Sequence, residues 1–82
     1  MPTVLTMFGL RVVIYPNDHR PAHVHVQGNG CEATFILHCP GGPVVFRTNY
    51  GFAKKDVVKI ANVLDASVMQ LCDEWRRIHG TV

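Results

Sequence analysis

The sequence predicts an α+β domain: an antiparallel sheet of four to five strands (two hairpins plus a short strand) packed against one long C-terminal helix. Three observations carry that expectation. The first half alternates β-rich runs with glycine-bearing turns. The second half spaces its apolar residues by three and four. The length, 82 residues, is that of a single domain spanning 1–82. A chain of this size removes only about 60–65% of its unfolded surface on folding. A partner or a second copy would therefore add stability, which makes a homo-oligomer one expectation.

Residues 3–7 and 10–15 flank Phe8-Gly9 and read as a tight hairpin. Pro16-Asn17-Asp18 ends the second strand, because proline lacks the ladder donor and Asn and Asp favour turns. Residues 23–27 form a third strand, Gly28-Asn29-Gly30 reverses the chain, and residues 31–38 return as a fourth. Register follows from the pleat. Val24 and Val26 share one face, with His23, His25 and Gln27 on the other. A two-residue turn, Gly28-Asn29 or Asn29-Gly30, sets the valines beside Ala33 and Phe35 and brings Glu32 and Thr34 to the histidine face. A three-residue loop would bury a histidine beside Phe35, so the even loop is expected, with Glu32 close to His25.

Cys39-Pro40-Gly41-Gly42-Pro43 cannot stay in a ladder, residues 44–48 form a short fifth strand, and residues 49–52 lead into the helix. Val57, Ile60, Leu64, Val68, Leu71, Trp75 and Ile78 make one apolar stripe, with Trp75 a core residue. Arg76, Arg77 and His79 suit the negative end of the helix dipole, and Gly80 suits the position just past it. No capping side chain stands directly before Ala53. A helix over residues 53–79 would run roughly 40 Å, longer than a small sheet is wide, so one end would overhang.

A net charge of +2 and a pI near 8.6 permit contact with nucleic acid without demanding it. Cys31, Cys39 and Cys72 form no C-x-x-C pair, which reads as reduced thiols in a cytoplasmic protein. The opening residues carry no basic, apolar leader pattern. No stretch approaches ~18 apolar residues, so no membrane association is expected.

The chemistry concentrates in Asp18-His19-Arg20-Pro21-Ala22-His23-Val24-His25, where three of the five histidines fall within seven residues. On one exposed strand face, His23 and His25 would have Cα atoms ~6.6 Å apart, close enough to grip one ion, with His19, Glu32 or Asp18 as third ligand. The metal-free alternative makes one imidazole a base towards a 2′-hydroxyl or water and the other an acid towards the leaving oxygen, with Glu32 setting a tautomer. That alternative is preferred, so neither metal nor cofactor is expected. The bland account is a turn stabilised by half-buried histidines, with Asp18 accepting backbone N–H groups and Pro21 fixing the approach to the strand. Arg47, Lys54, Lys55 and Lys59 surround the helix entrance, with Arg20 and Arg11 adding to the field and Tyr50 and Phe52 able to stack on bases. Asp56 dilutes that patch, which favours an ordinary solvated helix start. His38 and Cys39, adjacent on a strand, point to opposite faces and make a poor catalytic pair.

Met1-Pro2-Thr3, Gly9, Tyr15, Asn17-Asp18-His19, Pro21, His23-Val24-His25-Val26 and Trp75 together resemble a family of small bacterial and archaeal proteins, domain-of-unknown-function family 4160. The resemblance covers nearly the whole chain and centres on N-D-H-x-P-x-H-x-H. It departs at Ala53, where members carry serine, and at Pro21-Ala22, where a proline pair is common. The resemblance implies the toxin half of a two-gene, type II toxin–antitoxin module of the DhiT type, with a cognate small antitoxin protein as partner. RNA cleavage is implied only by analogy with other small toxins. In that ribonuclease role His23 and His25 are acid and base, Glu32 orients one of them, and His19 positions the scissile group. Arg20, Arg47, Lys54 and Lys55 hold phosphate. The alternatives are a non-catalytic module binding protein or nucleic acid, and a small metal-binding protein.

Overall fold

A computed structural model describes residues 3–80; Met1 and Pro2, which open the family-like motif, lie outside the described residues. Five antiparallel strands follow one another across a single sheet: β1 (Thr3–Met7), β2 (Leu10–Val13), β3 (His23–Gly28), β4 (Cys31–Ile36) and β5 (Val45–Tyr50). Every connection joins neighbours, so the sheet is a simple meander. Two helices complete the chain, α1 (Lys54–Ala66) and α2 (Val68–His79).

Both predicted hairpins form with two-residue turns. Phe8 and Gly9 take φ of 51° and 75°, and Asn29 and Gly30 take 53° and 75°. Two successive positive values give the primed turn whose twist matches the flanking strands. The even loop fixes the expected register: Val24 lies opposite Phe35, Val26 opposite Ala33, His25 opposite Thr34 and Gln27 opposite Glu32. Across the other edge of β3, Val12 faces Val26 and Val13 faces His25.

Strand ends depart from expectation where local hydrogen bonds compete. β2 stops at Val13 because the Tyr15 amide donates to Asp18 Oδ2 at 2.9 Å and its carbonyl accepts the Asp18 amide at 3.0 Å. β4 stops at Ile36, two residues before His38, whose φ of 52° turns the chain. β5 starts one residue later than predicted and runs on to Tyr50.

The single long helix is corrected to two. Ser67, at φ −114° and ψ 11°, leaves the helical region, and its amide bonds Leu64 O three residues back. The physical reason is size. The molecule measures 33 × 25 × 18 Å, shorter than the roughly 40 Å a straight helix over this segment would need. Breaking at Ser67 returns Leu71, Cys72 and Trp75 to the sheet, where each is fully or almost fully buried. The start at Ala53 has no side-chain cap, and Gly80 closes α2 in the left-handed conformation, both as predicted.

Reduced thiols are the second correction. Cys39, in the β4–β5 loop, is disulfide-bonded to Cys72 on α2, with Cα atoms 5.7 Å apart; Cys31 is free. The partners are separated by 33 residues in sequence, and the bridge ties the β4–β5 loop to α2. A second tie joins the same loop to α1, where the Val44 amide donates to Asp65 Oδ1 at 2.7 Å.

The core fills the valine face: Val12, Val24, Val26, Ala33 and Phe35 cluster with Ile60, Leu64, Leu71 and Trp75. Burial of each large apolar side chain contributes about 1.5–3 kcal/mol. No helix among the described residues is long and apolar enough to cross a membrane.

Gly51 joins sheet to helix at φ 99°, and a Cβ there would stand 2.9 Å from Cys31 Sγ. Only glycine meets both conditions without strain. Gly51→Ala is expected to destabilise the domain by about 1–3 kcal/mol, measured by denaturant unfolding. A midpoint equal to wild type would show that the junction relaxes freely.

Candidate functional site

The site begins with the chain's route out of β2. The turn after Tyr15 carries Asp18 back to the start of β3, where alternation sends His23 and His25 to the face opposite the valines. His23 Nδ1 donates to the Pro21 carbonyl at 2.8 Å. A carbonyl can only accept, so this bond places the proton on Nδ1 and leaves Nε2 as the working atom. His25 Nδ1 lies 3.1 Å from Glu32 Oε2, and its Nε2 lies 3.2 Å from Asp18 Oδ1. His23 Nε2 reaches the same Asp18 oxygen at 3.6 Å, too long for a hydrogen bond.

Two imidazoles therefore converge on one carboxylate oxygen. The side chains of His23, His25 and Asp18 are 9%, 16% and 13% exposed, against 46% for Glu32, so the cluster meets solvent chiefly on the Glu32 side. The fully exposed histidine face is thus corrected: His23 is buried. The reason is tertiary. Trp75 of α2 lies tilted against the His23 ring at 5.4 Å between centroids and stacks on His79 at 4.0 Å. On the other side the His25 ring meets Tyr15 edge-on at 4.9 Å, and the two histidine rings are 5.2 Å apart. A continuous aromatic row thus fixes the rotamers of both histidines.

Glu32 lies beside His25, as the even turn predicts. His19 is exposed and makes no hydrogen bond or ion pair among the described residues. Arg20 is also exposed and lines a shallow cavity with Pro21, Ala22, Ile36, His38 and Cys39, next to the start of β3. Arg47 sits exposed on β5, beside the irregularity that shifts the β4–β5 register. Lys54 and Lys55 open α1, exposed, at the other end of the hairpin. There Asn29 and Cys31 share a second cavity with Phe52, Ala53 and Lys59. Gly28 pairs with Cys31 at this end and His23 with Ile36 at the far one, roughly 16 Å away along β3. The fold therefore gathers His23, His25 and Glu32 and leaves Lys54 and Lys55 apart.

In the sequence Asp18 reads first as a turn residue and Trp75 as core. Both also belong to the site. Asp18 does serve its turn through Oδ2 while Oδ1 faces the histidines, a division of labour that no spacing rule encodes. Asp18, His23 and His25 each offer one ligand atom, all within 4.8 Å of one another, a donor set that suits zinc or iron.

A family description, Domain of unknown function (DUF4160), matches residues 9–76. The chain belongs to this family. The matched stretch of the DUF4160 domain holds the whole cluster, from Tyr15 through Glu32 to Trp75. No curated protein and no solved structure matches the chain.

Proposed function

We propose that this DUF4160 chain is the toxin of a two-gene toxin–antitoxin module, and that the Asp18–His23–His25–Glu32 cluster is its reaction centre, acting on RNA. The supporting observation is the convergence of both imidazole Nε2 atoms on a single carboxylate oxygen. Cleaving a phosphodiester needs one group to take a proton from the attacking oxygen and another to protect or protonate the leaving one. The two histidines are not equivalent for that work. His25 has a carboxylate at each ring nitrogen, whereas His23 Nε2 has no hydrogen bond among the described residues and points into the cluster. His23 is therefore the base, acting directly or through a water held beside it, and His25 is the acid. Arg20, nearest in sequence, would bind the scissile phosphate. His19, exposed and outside the cluster, would help seat bound RNA without sharing in proton transfer, and Arg47, Lys54 and Lys55 would extend the cationic track towards the hairpin turn.

On this reading the chain acts in the cytoplasm with a small antitoxin as its partner, and no cofactor is required. The test is induction in a bacterial host, alone and with the neighbouring gene of its locus. Expression alone should arrest growth within a few generations and shorten cellular RNA, and co-expression should restore growth. Unimpaired growth at high soluble expression would overturn the proposal.

A further inference from the structure

We propose that Asp18 Oδ1, His23 Nε2 and His25 Nε2 form a three-ligand site for a first-row divalent transition ion, with Zn²⁺ as its first occupant and at least one coordination position open. The site shares its residues with the proposed reaction centre but does not rest on that reading: an ion on His23 Nε2 would take the lone pair that the metal-free base needs, so only the ion-free protein could use His23 as base.

Separation is the first argument. Zinc bonds to imidazole nitrogen and carboxylate oxygen of roughly 2.0–2.2 Å place tetrahedral ligand atoms about 3.3–3.6 Å apart. The Asp18 oxygen is 3.2 Å from His25 Nε2 and 3.6 Å from His23 Nε2, and no pair in the set exceeds 4.8 Å. Small rotations about the side-chain torsions close the remaining gap.

Proton placement is the second. A ligating histidine needs a lone pair on the coordinating nitrogen, fixed by giving its other N–H to an acceptor. Both histidines have such an acceptor. His23 Nδ1 donates to the Pro21 carbonyl, and His25 Nδ1 faces the Glu32 carboxylate. Asp18 is likewise steadied, its second oxygen taking the Tyr15 amide. Each of the three proposed ligands is thus held from behind by a group that is not itself a ligand.

The third is the availability of the His23 lone pair. His23 Nε2 sits on a side chain only 9% exposed, 3.6 Å from its nearest carboxylate, and forms no hydrogen bond among the described residues. A bound cation would give that lone pair its partner. Two histidines and one carboxylate leave positions for water or substrate, the arrangement of a reactive centre rather than a closed structural one.

Untagged protein, stripped with chelator and desalted, should take up one equivalent of Zn²⁺ in calorimetric titration. It should give a visible ligand-field spectrum with Co²⁺, displaced by Zn²⁺. Asp18→Asn and His23→Ala should each abolish stoichiometric binding, with folding checked by circular dichroism. Glu32→Gln, which keeps all three ligands, should weaken binding about 10–100-fold. His19→Ala and Cys31→Ser should bind like wild type. Failure of wild type to retain either ion would overturn the site. So would affinity unchanged in both Asp18→Asn and His23→Ala, or a Co²⁺ spectrum lost in Cys31→Ser. The readout involves no RNA, so an inactive protein that binds zinc would sink the toxin proposal and leave this one standing.

Discussion

His23→Ala is expected to relieve growth arrest completely and to lower RNA cleavage by about 10²–10⁴-fold, the usual contribution of a positioned acid or base. The magnitude rests on an asymmetry. His23 has Nδ1 committed to a backbone carbonyl and Nε2 3.6 Å from Asp18 Oδ1, beyond hydrogen-bond distance, which leaves that nitrogen able to accept a proton. The ring also packs against Trp75, and its removal will cost some stability. His23→Gln, which refills most of the volume, separates the two effects. Lost activity in both variants with a melting midpoint near wild type supports a chemical role. His19→Ala supplies the contrast: an exposed ring outside the cluster should change cleavage by no more than a few-fold. Full toxicity in His23→Ala, at equal soluble expression, would remove the cluster from the mechanism.

Opening the Cys39–Cys72 pair should cost about 4 kcal/mol on the chain-entropy account, because the loop released spans 33 residues. For a domain of this length that corresponds to a fall in melting midpoint of about 15–30 °C. Thermal melts with and without dithiothreitol measure it, and Cys39→Ser should reproduce the reduced curve in the absence of reductant. Cys31→Ser, which touches the free thiol, should leave the difference intact. An identical midpoint in both conditions would mean that the bridge does not form in solution. A reducing cytoplasm would keep the pair open. The toxin reading thus expects the working protein to be the less stable form, held together by its core, by the Asp65–Val44 bond and by its partner.

The cluster is partly legible in the sequence. Strand alternation alone put His23 and His25 together, and the demand for an even turn put Glu32 beside His25. Both are local consequences of a period of two and a two-residue reversal. Asp18 lay beyond that logic. It is seven residues from His25 along a turn, and its approach depends on Tyr15 redirecting the backbone. Trp75 lay further still, because a tryptophan on a helical stripe reads the same whether it packs on valine or on histidine. The helix break at Ser67 had no sequence signal stronger than a serine within an otherwise continuous apolar stripe.

By itself the chain determined the five strands, both tight turns, the side of the sheet on which each β3 residue falls and the character of the C-terminal segment. All of these follow from neighbours a few residues apart, where propensity and periodicity act directly. The tertiary structure decided where the helix divides, which cysteines meet, how deeply His23 is buried and which carboxylate faces it. Those outcomes depend on fitting a long helix onto a short sheet, a constraint on distance between remote parts that no local pattern carries.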